Sequence, residues 1–254
     1  MAEATGVGYF IYGVVPSDVE PTEDARGLGD PAAPVTVVTH GEVAALVSEI
    51  GLDRPLGRPD DLVAYKQLLD GTAVEAPVLP IRFGTVLESR DAVTELLSAA
   101  HDDYLAALNE LDGRVEYVVR GRYVEQAVLT EVLAENPEAE ELRQQLRGAP
   151  ENSSMDLRMR LGELINEGVE ARRAADTDRL VDALTAVSVA SVLRPPTHEQ
   201  DAAHAAFLVE TERRAEFEEA VERLADDEWS GRVNVKMLGP LAPYDFAARP
   251  QPQG

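Results

Sequence analysis

The sequence predicts a two-domain α+β protein. Three observations carry that expectation. The 254 residues exceed what a single core comfortably holds and suit two domains of roughly 100–150 residues. Apolar runs rich in β-branched residues recur in both halves of the chain. Between those runs lie segments whose apolar residues repeat at helical spacing.

Gly8–Val15 (GYFIYGVV) reads as a buried strand that Pro16 ends. Ser17–Pro34 is polar, broken by proline and glycine, and reads as a loop. Val35–Thr39 and Glu42–Ile50 read as a hairpin turning at His40-Gly41. Pro59 suits the first turn of a helix, with Asp60 and Asp61 at the positive end of its dipole. Pro77–Leu87 (PVLPIRFGTVL) reads as a strand whose prolines favour an edge. Ser89 reads as the N-cap of one long helix, whose stripe runs from Val93 to Leu111 and stops at Asp112-Gly113.

Val115–Val124 opens the second half as a strand. Helices are expected over Gln126–Leu133, Glu138–Arg147 and Met155–Val187, with a polar break over Gly148–Ser154. Asp176-Thr177-Asp178 reads as a kink or a fresh start in the last of these. Ser188–Leu193 and Ala205–Val209 read as strands around Pro195-Pro196. A charged helix over Thr211–Asp227 and a strand over Arg232–Leu238 follow. The expected division is 1–112, a ferredoxin-like domain with helices on one face of an antiparallel sheet, then 113–246, a domain of long helices and a small sheet. Residues 247–254 read as a disordered tail.

Formal net charge is -24, from 47 acidic and 23 basic residues. Such a surface repels nucleic-acid backbones and anionic lipid. Lys66 and Lys236 are the only lysines, so arginine carries nearly all the positive charge. Without cysteine there is no disulfide, thiol nucleophile or thiolate metal site. No apolar run approaches the roughly 20 residues of a membrane span, and Met1–Thr5 lacks a basic leader. The expected location is the cytoplasm.

Sequence motifs for chemistry are missing. His40, His101, His198 and His204 lack helical zinc spacing and read as surface histidines. Ile11 stands where a dinucleotide loop would need its third glycine. The Asp176/Asp178 pair and the acids of 216–228 read as solvated helix faces, not cation sites. No catalytic, cofactor or metal site is expected, and an enzyme built on a ferredoxin-like cleft is the weaker alternative.

Two segments hold unusual residues. In a strand over Leu79–Phe83, Ile81 and Phe83 share a face and Arg82 points the other way. Arg82 then either pairs with Glu75 or Glu88 or serves binding. In Gly239–Phe246 (GPLAPYDF), Tyr244 and Phe246 either clasp the chain end onto its core or meet a partner.

These segments, with Tyr9–Val15 (YFIYGVV) and Val78–Leu87 (VLPIRFGTVL), resemble the GvpF/GvpL family of gas vesicle proteins. The LP-x-RFGT core is the most specific match. Leu241 departs from the tryptophan usual after the closing Gly-Pro. The resemblance implies a non-enzymatic accessory protein and minor component of the gas vesicle. It would bind the hydrophobic shell protein GvpA and prevent its aggregation during nucleation, or else bridge other accessory Gvp proteins. Leu79, Ile81, Arg82, Phe83, Tyr244 and Phe246 are the expected protein-binding residues.

Overall fold

The computed structural model describes residues 6–22, 25–29, 31–147 and 154–247. The chain forms two compact units. One comprises Met1–Tyr117, Leu208–Glu212 and Gly239–Gly254; the other comprises Val118–Phe207 and Arg213–Leu238. This differs from a cut at 112/113 chiefly in the closing segment, which groups with the first unit. Of the expected disordered tail, Ala247 packs against the core of that unit, and 248–254 lie outside the described residues.

In the first unit, β1 (Val7–Pro16) pairs antiparallel with β5 (Val43–Gly51), which pairs with β4 (Thr36–His40). The hairpin turns at Gly41, whose φ of 58° suits glycine. The expected loop 17–34 contains a small hairpin, β2 (Arg26–Gly29) with β3 (Ala32–Pro34). Its short, Gly- and Pro-rich strands hid it from a pattern reading. The hydroxyl of Tyr12 receives the Leu28 N–H at 2.8 Å and lies 2.6 Å from Ser48 Oγ.

Successive β1 residues point to opposite faces, and a bulge between Ile11 and Gly13 shifts the alternation by one. Phe10 and Tyr12 pack with Tyr65, Leu69 and Ala73 of α1 (Pro59–Glu75). Ile11 and Val14 pack instead with Val93, Leu97, Tyr104 and Leu108. Helices therefore cover both faces of this sheet, correcting the expectation of one. A sheet whose two faces are both apolar must be covered twice. The single helix expected after Ser89 is two, α2 (Arg90–Ala99) and α3 (His101–Leu111), broken at Ala100 with φ -134°. Ser89 caps the first by accepting the Ala92 N–H at 3.1 Å.

The motif strand is also interrupted. Only β6 (Leu79–Pro80) and β7 (Val86–Leu87) are extended, both against β1. Between them a turn closes, with Thr85 N–H and Oγ1 donating to Arg82 O at 3.2 and 2.7 Å. Gly84, at φ 91°, makes the turn possible. Ile81 and Phe83 consequently join opposite core clusters; they do not share a face.

The second unit contains α4 (Glu125–Glu135), α5 (Pro137–Leu146), α6 (Met155–Thr185) and α7 (Arg214–Arg223). Its sheet is ordered β11 (Val233–Leu241), β8 (Arg114–Tyr123), β10 (Asp201–Glu210), β9 (Ala190–Leu193). The charged helix expected to Asp227 is α7 followed by a wider π turn over Leu224–Glu228. Most of the break expected at 148–154 lies outside the described residues.

The helix α6 runs unbroken through Asp176, so no new helix starts there. That residue is fully buried, not a solvated face. Its carboxylate receives Arg232 Nη1 and Nη2 at 2.9 and 2.6 Å, Arg179 Nη1 at 2.9 Å and Tyr123 Oη at 2.8 Å. Arg232 Nε and Arg172 Nε both reach Glu131 at 3.0 Å. A buried carboxylate surrounded by donors need not turn back to cap its own backbone, so the helix continues.

Asp201 is the second buried acid of this unit. It receives Arg120 Nε and Nη2 at 2.8 and 2.9 Å and the N–H groups of Thr197 and His198 at 2.8 and 3.0 Å. Burial pushes its carboxyl up, but the Thr197 N–H and the Arg120 guanidinium outweigh that and hold it at about 2. Folding thus lowers this pKa. The resulting stabilisation is whole above about pH 4 and fades as pH falls toward 2, on the order of 2 kcal/mol in total. Asp201→Asn should lower stability to urea at pH 6 and lose roughly half of that deficit by pH 3. An equal deficit at both pH values would refute the assignment.

Candidate interaction site

The three sequence segments set apart by their motifs converge on one side chain of the first unit, Tyr65 of α1. Its ring lies 6.3 Å from those of Phe10 and Tyr12, 5.3 Å from Phe83 and 6.5 Å from Tyr244. Its hydroxyl donates to the carbonyl of Ile81, at the start of the motif turn. Phe10 and Phe83 complete the cluster with ring centroids 5.6 Å apart. Such tilted aromatic pairs add about 0.5–1.5 kcal/mol beyond area burial. Burial pushes the Tyr65 phenol above its ordinary value, and Asp70 reinforces the shift.

Asp70, one turn and a half along α1, receives the closing segment. Its Oδ1 accepts the Ala242 N–H and the Tyr244 hydroxyl, both at 2.9 Å. Glu116 Oε2 accepts the Asp245 N–H at 2.8 Å. Ala242 is fully buried. Tyr244 packs on the α1 side of the sheet and Phe246 on the α2–α3 side. Gly239 admits no side chain: its φ is 152°, and an added Cβ would sit 2.5 Å from the Tyr117 ring. Leu241, where the family pattern has tryptophan, is half-buried.

The six residues expected to bind protein thus differ in what they present. Leu79 is 1% exposed and belongs to the core. Ile81, Phe83, Tyr244 and Phe246 are half-buried. Arg82 is exposed on the turn. Among the described residues its guanidinium pairs with neither Glu75 nor Glu88, and it makes no other ion pair. In the sequence Tyr65 falls at helical spacing with Leu62, Leu68 and Leu69, and no motif singles out Asp70. Nothing local marks either as a meeting point, because their partners lie up to 174 residues away.

The family model for gas vesicle synthesis protein GvpL/GvpF matches residues 8–248. The chain belongs to the GvpL/GvpF family. Gas vesicle protein F of Streptomyces sp. (strain CB03234) is 36% identical, covering 93% of this chain and 98% of the relative. Gas vesicle protein L of the same strain is 30% identical, covering 94% and 92%. The crystal structure of GvpF from Anabaena sp. PCC7120 shares the fold, with a TM-score of 0.81 at 24% identity over 97% of this chain and all of that one. These matches associate the chain with gas vesicles and with accessory work there, and the relatives are named as gas vesicle proteins, not enzymes.

Within this GvpL/GvpF chain, the described residues hold no group of three or more His, Asp or Glu arranged for a metal ion. No helix among them is long and apolar enough to cross a membrane. The rings of His40 and His101 lie 5.9 Å apart; His101 Nε2 accepts the Glu42 N–H at 3.3 Å, and His198 Nδ1 accepts the Gln200 N–H at 3.1 Å.

The Asp70 bonds make a testable clasp. Asp70→Ala leaves two donors without their acceptor and should cost roughly 2–4 kcal/mol, against about 1 kcal/mol for Tyr244→Phe. Urea unfolding followed by circular dichroism measures both. Wild-type stability in Asp70→Ala would show that the clasp contributes nothing.

Proposed function

We propose that this chain is an assembly factor of the gas vesicle. It holds the small hydrophobic shell protein GvpA in the cytoplasm, prevents its aggregation during nucleation and remains a minor component of the finished vesicle. The observation that carries this reading is the family match over residues 8–248, almost the whole chain.

The physics of the chain supports it. A subunit that polymerises through apolar faces and strand edges aggregates unless something covers them reversibly. A carrier with a net charge of -24 keeps a loaded complex soluble by repulsion between complexes. The motif turn is a reasonable contact. Its ends are fixed by backbone bonds to β1, Ile81 N–H to Tyr12 O and Ile11 N–H to Thr85 O, both 3.0 Å. Arg82 stands on that rigid base without an ion-pair partner among the described residues, free to donate to a carbonyl or carboxylate of GvpA.

Co-expression with GvpA followed by size-exclusion chromatography tests the function. Soluble GvpA should co-elute with this chain, and equal precipitation with or without it would defeat the reading. Arg82→Ala should reduce capture roughly tenfold to a hundredfold, the range for one charge-assisted hydrogen bond, with melting unchanged. Undiminished capture would leave Arg82 out of the contact.

A further inference from the structure

The sheet of the second unit buries one face against its own helices. Tyr123 reaches Asp176 of α6, Phe207 lies 5.5 Å from Phe217 of α7, and a Cβ on Gly121 would meet the Trp229 ring at 3.1 Å. By alternation, Arg120 and Arg122 of β8 point to the opposite face. β11 runs antiparallel beside them: Val124 N–H bonds to Arg232 O at 2.8 Å, and Gly239 closes on Tyr117 further along. That register sets Lys236 opposite Arg120 and Asn234 opposite Arg122 on one face. Arg122 is 47% exposed, and Asn234 and Lys236 are exposed with it.

The charge on this face runs against the composition. The chain has 47 acidic and 23 basic residues, yet Arg120, Arg122 and Lys236 share one carboxylate, that of Asp201. Its oxygens are already occupied by Arg120 Nε and Nη2 at 2.8 and 2.9 Å and by the Thr197 and His198 N–H groups. Arg122 reaches it only through Nε at 3.4 Å, longer than such bonds usually are. Among the described residues Lys236 has no ion-pair partner at all. Like charges opposite one another on a sheet destabilise it, and Lys236, one of only two lysines, stands opposite an arginine. The excess is felt nearby. Burial first, then the Arg194 and Arg120 guanidiniums, hold the His204 imidazole below its ordinary value.

We infer that this face binds an acidic segment of a partner protein, with Arg122 and Lys236 each taking one Asp or Glu carboxylate. The two cations lie diagonally across the strand pair, about 7–8 Å apart at Cα. Alternate side chains of an extended segment are about 7 Å apart, so two such carboxylates fit them together. The rest of the surface selects against a longer polyanion. Nucleic acid would run past these few cations onto a chain of net charge -24, which repels it. A protein segment can confine its charge to two residues and turn apolar side chains to Leu238, the next β11 residue on this face and 48% exposed.

Fluorescence anisotropy of a labelled decaglutamate peptide with the full chain at low salt tests the contact. Binding should weaken as salt is raised. Lys236→Glu and Arg122→Glu should each weaken it about tenfold, one exposed attraction lost and one repulsion gained. Lys66→Glu makes the same change of net charge at an exposed position of α1 and should bind within about twofold of wild type. All three should melt as wild type. Should Arg122→Glu unfold for want of its contact with Asp201, Lys236→Glu decides. No binding of decaglutamate by the wild type, or an equal loss in Lys66→Glu, overturns the surface. Tighter binding of an oligothymidylate of equal length at the same salt overturns the assignment to protein. A wild-type dimer that Lys236→Glu converts to monomer makes a second copy the acidic partner and overturns the assignment to another chain.

Discussion

A single carboxylate, that of Asp70, ties the end of the chain to its beginning. It accepts the Ala242 N–H and the Tyr244 hydroxyl across more than 170 residues of sequence. The arrangement depends on an asymmetry of hydrogen bonding. A bond made in the folded state contributes about 1 kcal/mol net, but a buried donor stripped of its acceptor costs about 1–3 kcal/mol. Ala242 is fully buried, so its N–H has no water to fall back on. Once the closing segment is in place it must be satisfied there, and Asp70 is what satisfies it. Burial and the Asp70 charge together push the Tyr244 phenol far above its ordinary value, which keeps its proton on the donor at any physiological pH.

The same constraint organises the aromatic residues. They are only 5% of the chain, yet Phe10, Tyr12, Tyr65, Phe83 and Tyr244 gather on the α1 side of the first sheet. They come from β1, α1, the motif turn and the closing segment, and three of these carry the family's motif segments. Most of the motif is therefore packing. Leu79 and Phe83 secure the segment to the sheet, Gly84 permits the turn, and Thr85 closes it. Those contacts leave Arg82 outside, on a backbone that cannot easily yield. A surface group on a loop can recognise a partner only when a scaffold holds the loop still.

Much of this architecture was legible in sequence where one principle acted locally. The β1 run, the hairpin at Gly41, the Pro59 helix start and the Ser89 cap each follow from a few neighbouring residues. The misreadings share a cause, which is a side chain whose partner is distant. Asp176 looks like a helix start until Arg232 is brought to it from 56 residues away. Ile81 and Phe83 look like one strand face until Gly84 turns the chain between them. The small β2–β3 hairpin is invisible to periodicity because the Tyr12 hydroxyl, 16 residues upstream, holds Leu28 in place. The second helical face of the first sheet was missed for a related reason. The run from Phe10 to Val15 is apolar on both sides, and that pattern, taken seriously, already demanded cover on two faces.

Charge finally connects the interior to the surface. Arg120, Arg172 and Arg232 are held by buried or partly buried acids, and Arg54 pairs with buried Asp61. Arginine suits that work because its planar fork satisfies both carboxylate oxygens at once, which lysine cannot do. Each of these arginines takes an acid with it, so the exterior keeps the chain's net charge of -24. A partner approaching such a surface gains little from steering unless it is basic, and an uncharged apolar partner gains nothing from it. Specific contact with an apolar subunit must then come from backbone groups and short-range burial at places where the acidic cover is interrupted. The uncharged stretch from Ser188 to Leu193 is one such interruption.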